Sequence, residues 1–154
     1  MTDFFQDKFK SFGIPNVNAD TLKLKDLKYH SEMKDFIFKG SNVIVLGRGH
    51  LLLAHKLMKM RFYNNMNLNM LWINHSSMNY DVLETIKRET IDVVALMNMG
   101  KPDHQVNIPS AILNTALGKH MQVLIGVNSN QDIEDALPRD LDLLEQVFNV
   151  VKVD

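Results

Sequence analysis

The stretch from Ser41 to His55 constrains this chain more than any other. Val43-Ile44-Val45-Leu46 is a continuous apolar run, three of its four residues β-branched, and suits a strand buried on both faces. It runs into Gly47-Arg48-Gly49 and then straight into a helical pattern from His50. The glycines allow a sharp turn from strand to helix, and the helix start offers N–H groups without intrahelical partners to an anion. Strand, phosphate-type turn and helix in that order predict the opening of an α/β core.

The rest of the chain fits that opening. Phe5, Phe9 and Phe12 recur at helical spacing, and Gly13 and Pro15 end that helix. Its apolar stripe is expected to dock on the core's own flank, with an exposed face for a partner as the other reading. Asn18 to Tyr29, with Leu22, Leu24 and Leu27, reads as either a short strand or a helix start. Ser31 to Lys39 reads as a helix stopped by Gly40. From there strands are expected at 43–46, 68–73, 91–97, 121–127 and 149–153. Helices are expected near 50–62 and 79–89 (Asn79 as cap), from Pro109 to Gly118, and from Asp132 to Phe148 with a break at Pro138. Alternating strands and helices predict a Rossmann-like, doubly wound parallel sheet of about five strands, in the order 3-2-1-4-5. Residues 1–40 are expected to form a helical N-terminal annex, and 41–154 the Rossmann-like domain, together a single folding unit.

Composition limits the function. The 154 residues carry a net charge of −1, which argues against a general nucleic-acid binder. That charge is uneven: residues 1–61 hold eleven Lys/Arg against six Asp/Glu (+5), and residues 62–154 hold six against twelve (−6). A basic N-terminal half suits a phosphate ligand or an acidic partner, or simply solvates helix surfaces. With no cysteine there is neither a disulfide nor a thiolate site. The acidic N-terminus leads into no apolar segment, and no run approaches a membrane span, so a cytoplasmic protein without membrane contact is expected.

Gly47-Arg48-Gly49-His50-Leu51-Leu52-Leu53-Ala54-His55 resembles the G-x-G-x-x-G-x-x-H opening of the glucose–fructose oxidoreductase and inositol dehydrogenase family. Ile91-Asp92-Val93-Val94-Ala95 is similar to that family's third strand, and Pro102 and His104 fall where its Pro and His follow. Ala116-Leu117-Gly118-Lys119-His120-Met121-Gln122-Val123 is similar to its A-L-x-x-G-K-H-V segment, two residues shorter. The resemblance implies an NAD(P)-type dinucleotide fold with pyrophosphate over Gly47 to Gly49. Three positions depart from it. Leu52 stands at the third glycine, where it is expected to crowd the helix–strand contact. Asn74-His75 replaces the ribose-binding acid, and Gly126-Val127-Asn128 replaces the segment with the catalytic lysine. A methyltransferase core opens in a similar way and fits Ile91-Asp92-Val93-Val94 equally well.

In an open α/β sheet, ligands sit outside the carboxyl ends of the strands. The candidate binding residues are therefore Gly47, Arg48, Gly49, His50, Asn74, His75 and Asn98. The backbone N–H groups of Gly49 and His50 would hold a phosphate, Arg48 would add charge, and Asn74 would reach a ribose. No metal site is expected, although His50, His75 and His104 with Asp103 share the same edge. His55, inside a leucine-rich helix, reads as a packed residue. The leading expectation is a nucleotide- or dinucleotide-binding regulator or sensor without a complete catalytic apparatus. The alternatives are a compact oxidoreductase or transferase, and an interaction or inhibitor protein that keeps the fold and lost the ligand. A homodimer or a protein partner is left open.

Overall fold

The computed structural model describes residues 2–19, 22–23, 28–101 and 107–153. Five strands make one parallel sheet: β1 (Asn42–Leu46), β2 (Met70–Asn74), β3 (Val93–Met97), β4 (Gln122–Val127) and β5 (Phe148–Lys152). The α/β class and the parallel sheet are as expected. The order is β2-β3-β4-β1-β5. It keeps two of the neighbour pairs of 3-2-1-4-5, β2–β3 and β1–β4, and exchanges the other two: β4 pairs with β3, and β1 pairs with β5.

Burial gives the physical reason. Every residue of β3 and β4 is buried, as is β1 from Val43 to Leu46, whereas β2 ends in exposed Asn74 and β5 exposes Val150 and Lys152. The order 3-2-1-4-5 would leave the wholly apolar β3 on an edge; the observed order puts the two strands with exposed positions there.

Right-handed crossovers then fix where the helices lie. Only the β1-to-β2 connection runs toward β2 along the sheet; the other three run the opposite way. Helix α3 (His50–Asn64) therefore covers one face alone, here called the front. Helices α4 (Tyr80–Arg88), α5 (Ile108–Gly118), α6 (Asn130–Ala136) and α7 (Leu141–Val147) cover the back. The two cores follow the two-residue alternation of the strands. Val43, Val45, Trp72, Ala95 and Leu124 face the front; Ile44, Ile73, Leu96, Ile125 and Phe148 face the back.

One crossover helix cannot cover five strands, and the N-terminal segment supplies the rest of the front layer. Helix α1 (Thr2–Ser11) packs its stripe on α3: the Phe5, Phe9 and Phe12 ring centroids lie 6.3, 5.4 and 5.7 Å from that of Phe62, all edge-on. The Trp72 N–H donates to the Phe12 carbonyl at 2.8 Å, which occupies part of the outer edge of β2. Helix α2 (His30–Lys34) continues as a π-helical turn, Asp35–Lys39, that ends at Gly40 in the left-handed region. Met33, Phe36 and Ile37 from this piece are buried in the front core. Leu24 and Leu27 lie outside the described residues, so the strand-or-helix choice for that segment stays with the sequence.

Gln122, buried at the start of β4, ties this layer together. Its Nε2 donates to the carbonyls of Phe36 (2.7 Å) and Ser41 (2.9 Å), and its Oε1 accepts from Arg61 Nε at 2.8 Å. Gln122→Leu keeps the volume and leaves a guanidinium and two carbonyls without their amide. A loss of about 2–4 kcal/mol is expected. Urea unfolding checks it, through a lower midpoint with an unchanged m-value; a loss below about 0.5 kcal/mol would show the amide to be dispensable.

Candidate functional site

Strand β1 ends at Leu46 and α3 begins at His50, so Gly47, Arg48 and Gly49 are the whole connection. The Gly47 N–H donates to the Val127 carbonyl at 2.9 Å, and the Val153 N–H donates to the Leu46 carbonyl at 2.8 Å. Gly47 has φ +135°, and a Cβ on it would run into the Val153 carbonyl oxygen. Glycine is required here for both reasons. Gly49, at φ −87°, makes no such demand; it caps α3 without a side-chain bond, and Arg48 beside it is exposed.

His50 turns inward. It is 4% exposed, with Nδ1 2.8 Å from the Gly47 carbonyl and Nε2 2.9 Å from Asn98 Oδ1. Asn98 Nδ2 in turn donates to Asn74 Oδ1 at 2.9 Å. A chain of three polar side chains thus links the carboxyl ends of β1, β3 and β2. The Nδ1–H of the ring donates to the Gly47 carbonyl. Turning both amides over lets a neutral ring accept at Nε2 from Asn98. Asn98 adopts φ 57°, the left-handed conformation that asparagine tolerates better than most residues. The ring passes over Gly126 of β4, where a Cβ would stand 3.0 Å from His50 Cδ2 and 2.8 Å from Met97 Sδ.

Three of the seven candidate residues, His50, Asn74 and Asn98, are therefore brought into one hydrogen-bonded chain, while Gly47, Arg48 and Gly49 form the turn beside it. His75 opens a 3-10 turn, His75–Ser77, half-buried. Pro102, Asp103 and His104 lie outside the described residues. The backbone N–H of His50 is committed to the Gly47 carbonyl at 3.2 Å, which leaves Gly49 as the donor of the expected pair. Leu52 does not crowd the sheet: it is 38% exposed, and Leu53, Ala54, Leu57 and Met58 turn to the core instead. His55 is buried, as a packed residue should be. Sequence reasoning missed His50 as an interior residue. The available signal was Gly126, since a glycine inside a buried strand marks a close approach.

No protein-family model matches the sequence, and no curated protein matches it. Solved structures do. An AMPPCP-bound DnaA from Aquifex aeolicus is 14% identical at a TM-score of 0.55, over 81% of this chain and 46% of that one. A replication initiator DnaA bound to AMPPCP and single-stranded DNA is 11% identical at 0.61, over 91% and 51%. A putative primosome component from Streptococcus pyogenes is 13% identical at 0.59, over 88% and 87%. The chain spans about half the length of the DnaA chains it matches.

At these identities the likeness is one of fold. It replaces the resemblance to the glucose–fructose oxidoreductase family, and the specific expectation of NAD(P) loses its support with it. The physical reason lies in the sheet order. Two strands separate β1 from β2, so a ribose-binding acid at the end of β2 would stand about 14 Å along the sheet from the turn. The G-x-G turn itself fits any buried strand that enters a helix directly.

Gly47→Ala combines an unfavourable φ with a backbone collision, and about 2–4 kcal/mol of destabilisation is expected. Thermal or urea unfolding measures it. Amide exchange should find the added opening concentrated at Val151 to Val153, where the collision falls; uniform acceleration across the sheet would contradict that account.

Proposed function

We propose that this protein is a regulator or sensor built on a nucleotide-binding fold, which holds the phosphate end of a nucleotide without turning it over. The observation that carries the reading is the β1–α3 turn, with Arg48 exposed beside the uncapped start of the fifteen-residue α3. A positive side chain and a helix N-terminus together favour an anion. Arg48 and the Gly49 N–H would meet the phosphate, with Gly47 and His50 shaping the turn beneath it and Asn74, His75 and Asn98 at the rim. Two of the similar DnaA structures carry AMPPCP, which supports a nucleotide as the ligand class.

Turnover needs more than this turn offers. A P-loop places G-x-x-x-x-G-K-[ST] between strand and helix, so that backbone N–H groups cradle the phosphates, the lysine reaches β and γ, and the hydroxyl holds magnesium. Here the three residues Gly47-Arg48-Gly49 stand in that place, followed by His50-Leu51-Leu52, with neither the lysine nor the hydroxyl. A triphosphate–magnesium complex therefore has no cradle of that kind.

A second reading is favoured by the His50–Asn98–Asn74 chain, which fills the edge with the protein's own groups. On that reading the protein is an interaction module that works through its surface. Net charge of −1 supports neither reading as a nucleic-acid binder.

Melting temperature and calorimetry with ADP, ATP and AMPPCP, with and without magnesium, separate these readings. Expected are equal, magnesium-independent shifts for all three, no phosphate release from ATP, and loss of the shifts in Arg48→Glu. Ligand at about 100 times its dissociation constant adds about 2.7 kcal/mol, several degrees for a domain of this size. A flat response would transfer the assignment to the interaction module, and phosphate release above background would make the protein an enzyme.

A further inference from the structure

A groove of about 590 Å³ runs between α1 and α3 on the outer side of the front layer, away from the strand-end turn. Its inner wall is mostly apolar, with Phe9 and Ile14 buried and Pro15 and Val17 half-buried, and the buried His55 of α3 also lines it. Phe5 and Tyr63 form an aromatic wall, their ring centroids 5.1 Å apart and nearly perpendicular. Lys10 from α1 and Lys59 from α3 line the same groove, with Asp7 as the acidic residue there. Lys59 Nζ lies 5.8 Å from the Tyr63 centroid, and neither lysine is in an ion pair among the described residues.

We propose that this groove binds a small anionic amphiphile, an aromatic or aliphatic body carrying one carboxylate or sulfonate. The volume is that of small-molecule sites, which pair apolar walls with a few placed polar groups. An apolar body shields the half-buried Phe5, Pro15 and Val17 from water, and its charge is met by Lys10 and Lys59 of the same groove. Two lysines against one carboxylate leave a single positive charge to neutralise, which selects a monoanion and repels a cation of the same shape. The site is independent of the strand-end turn and of the nucleotide reading.

The test is an NMR titration of the ¹⁵N-labelled full chain with 1-naphthaleneacetate, and separately with 1-naphthylmethylammonium as the charge-reversed control. Expected are saturable shifts confined to residues 5–17 and 55–63, with the anion binding at least tenfold more tightly than the cation. Lys10→Glu with Lys59→Glu should weaken the anion at least tenfold and leave the remaining spectrum unchanged; Lys10→Gln with Lys59→Gln serves if charge reversal unfolds the protein. Equal affinity for both compounds, indifference to the lysine substitutions, or no saturable shift in these segments overturns the proposal. So does a concentration-dependent dimer that blocks the titration and is broken by Val17→Asp, since the groove would then belong to a second copy of this chain.

Discussion

The edge-on packing of Phe9 and Phe12 against Phe62 is the contact on which the front half of the molecule depends. A parallel sheet must be covered on both faces. The β2-β3-β4-β1-β5 order sends one crossover across the front, so α3 alone would leave much of that face in water. Helix α1 and the α2–π piece complete the layer, and Phe62 is where α1 reaches α3. Its ring is wholly buried and touches three phenylalanines of the N-terminal segment. The front core is accordingly continuous from α1 through α3 to β5.

Polar braces hold the two ends of the sheet. At the amino end, Gln122 joins β4 to the π turn and to Arg61, while Asn64 Nδ2 donates to the Ile37 carbonyl at 3.3 Å. Burial lowers the proton affinity of the Arg61 guanidinium, and the nearby Asp92 carboxylate opposes that shift. On the back, Lys119 Nζ donates to the carbonyls of Ile86, Lys87 and Glu89 at 2.7, 2.8 and 3.0 Å. That ammonium satisfies carbonyls at the end of α4 and complements its dipole. At the carboxyl end the brace is His50–Asn98–Asn74. Apolar burial supplies the driving force of the fold, and these bonds fix how its layers are registered.

Strand and helix identities were legible because periodicity reports burial. The apolar runs of β1, β3 and β4, the Asn79 cap and the break at Pro138 all announce themselves in the sequence. Neighbour order did not, because hydrophobicity says that a strand is buried and not which strand buries it. The unbroken apolar character of β3 held the clue, since such a strand does not belong on an edge. The candidate site was legible as a location: Gly47, His50, Asn74 and Asn98 do converge. Its chemistry was not, because a histidine after a glycine turn points outward or inward according to what lies beneath it, and Gly126 is remote in sequence. The G-x-G signature misdirected the family reading for a related reason. It encodes a tight strand-to-helix turn, and several sheet orders use one.

The short turn and the inward histidine are two aspects of one constraint. A longer loop lets the first turn of the following helix stand back from the strand, and that space is where phosphates lie. With three residues, α3 starts so close to β1 that the His50 ring enters the space above Gly126 and takes its bonds from Gly47 and Asn98. A phosphate seeking the same place must displace that ring. Each of the three bonds in the chain is worth about 1 kcal/mol net, so opening it costs roughly 3 kcal/mol. That is about a hundredfold in affinity. A nucleotide at this edge therefore either stays outside the latch, on Arg48 and the Gly49 N–H, or binds about a hundred times more weakly than the same contacts would allow in an open turn. On the proposed reading, such a hold suits reporting a ligand rather than gripping one through a reaction cycle.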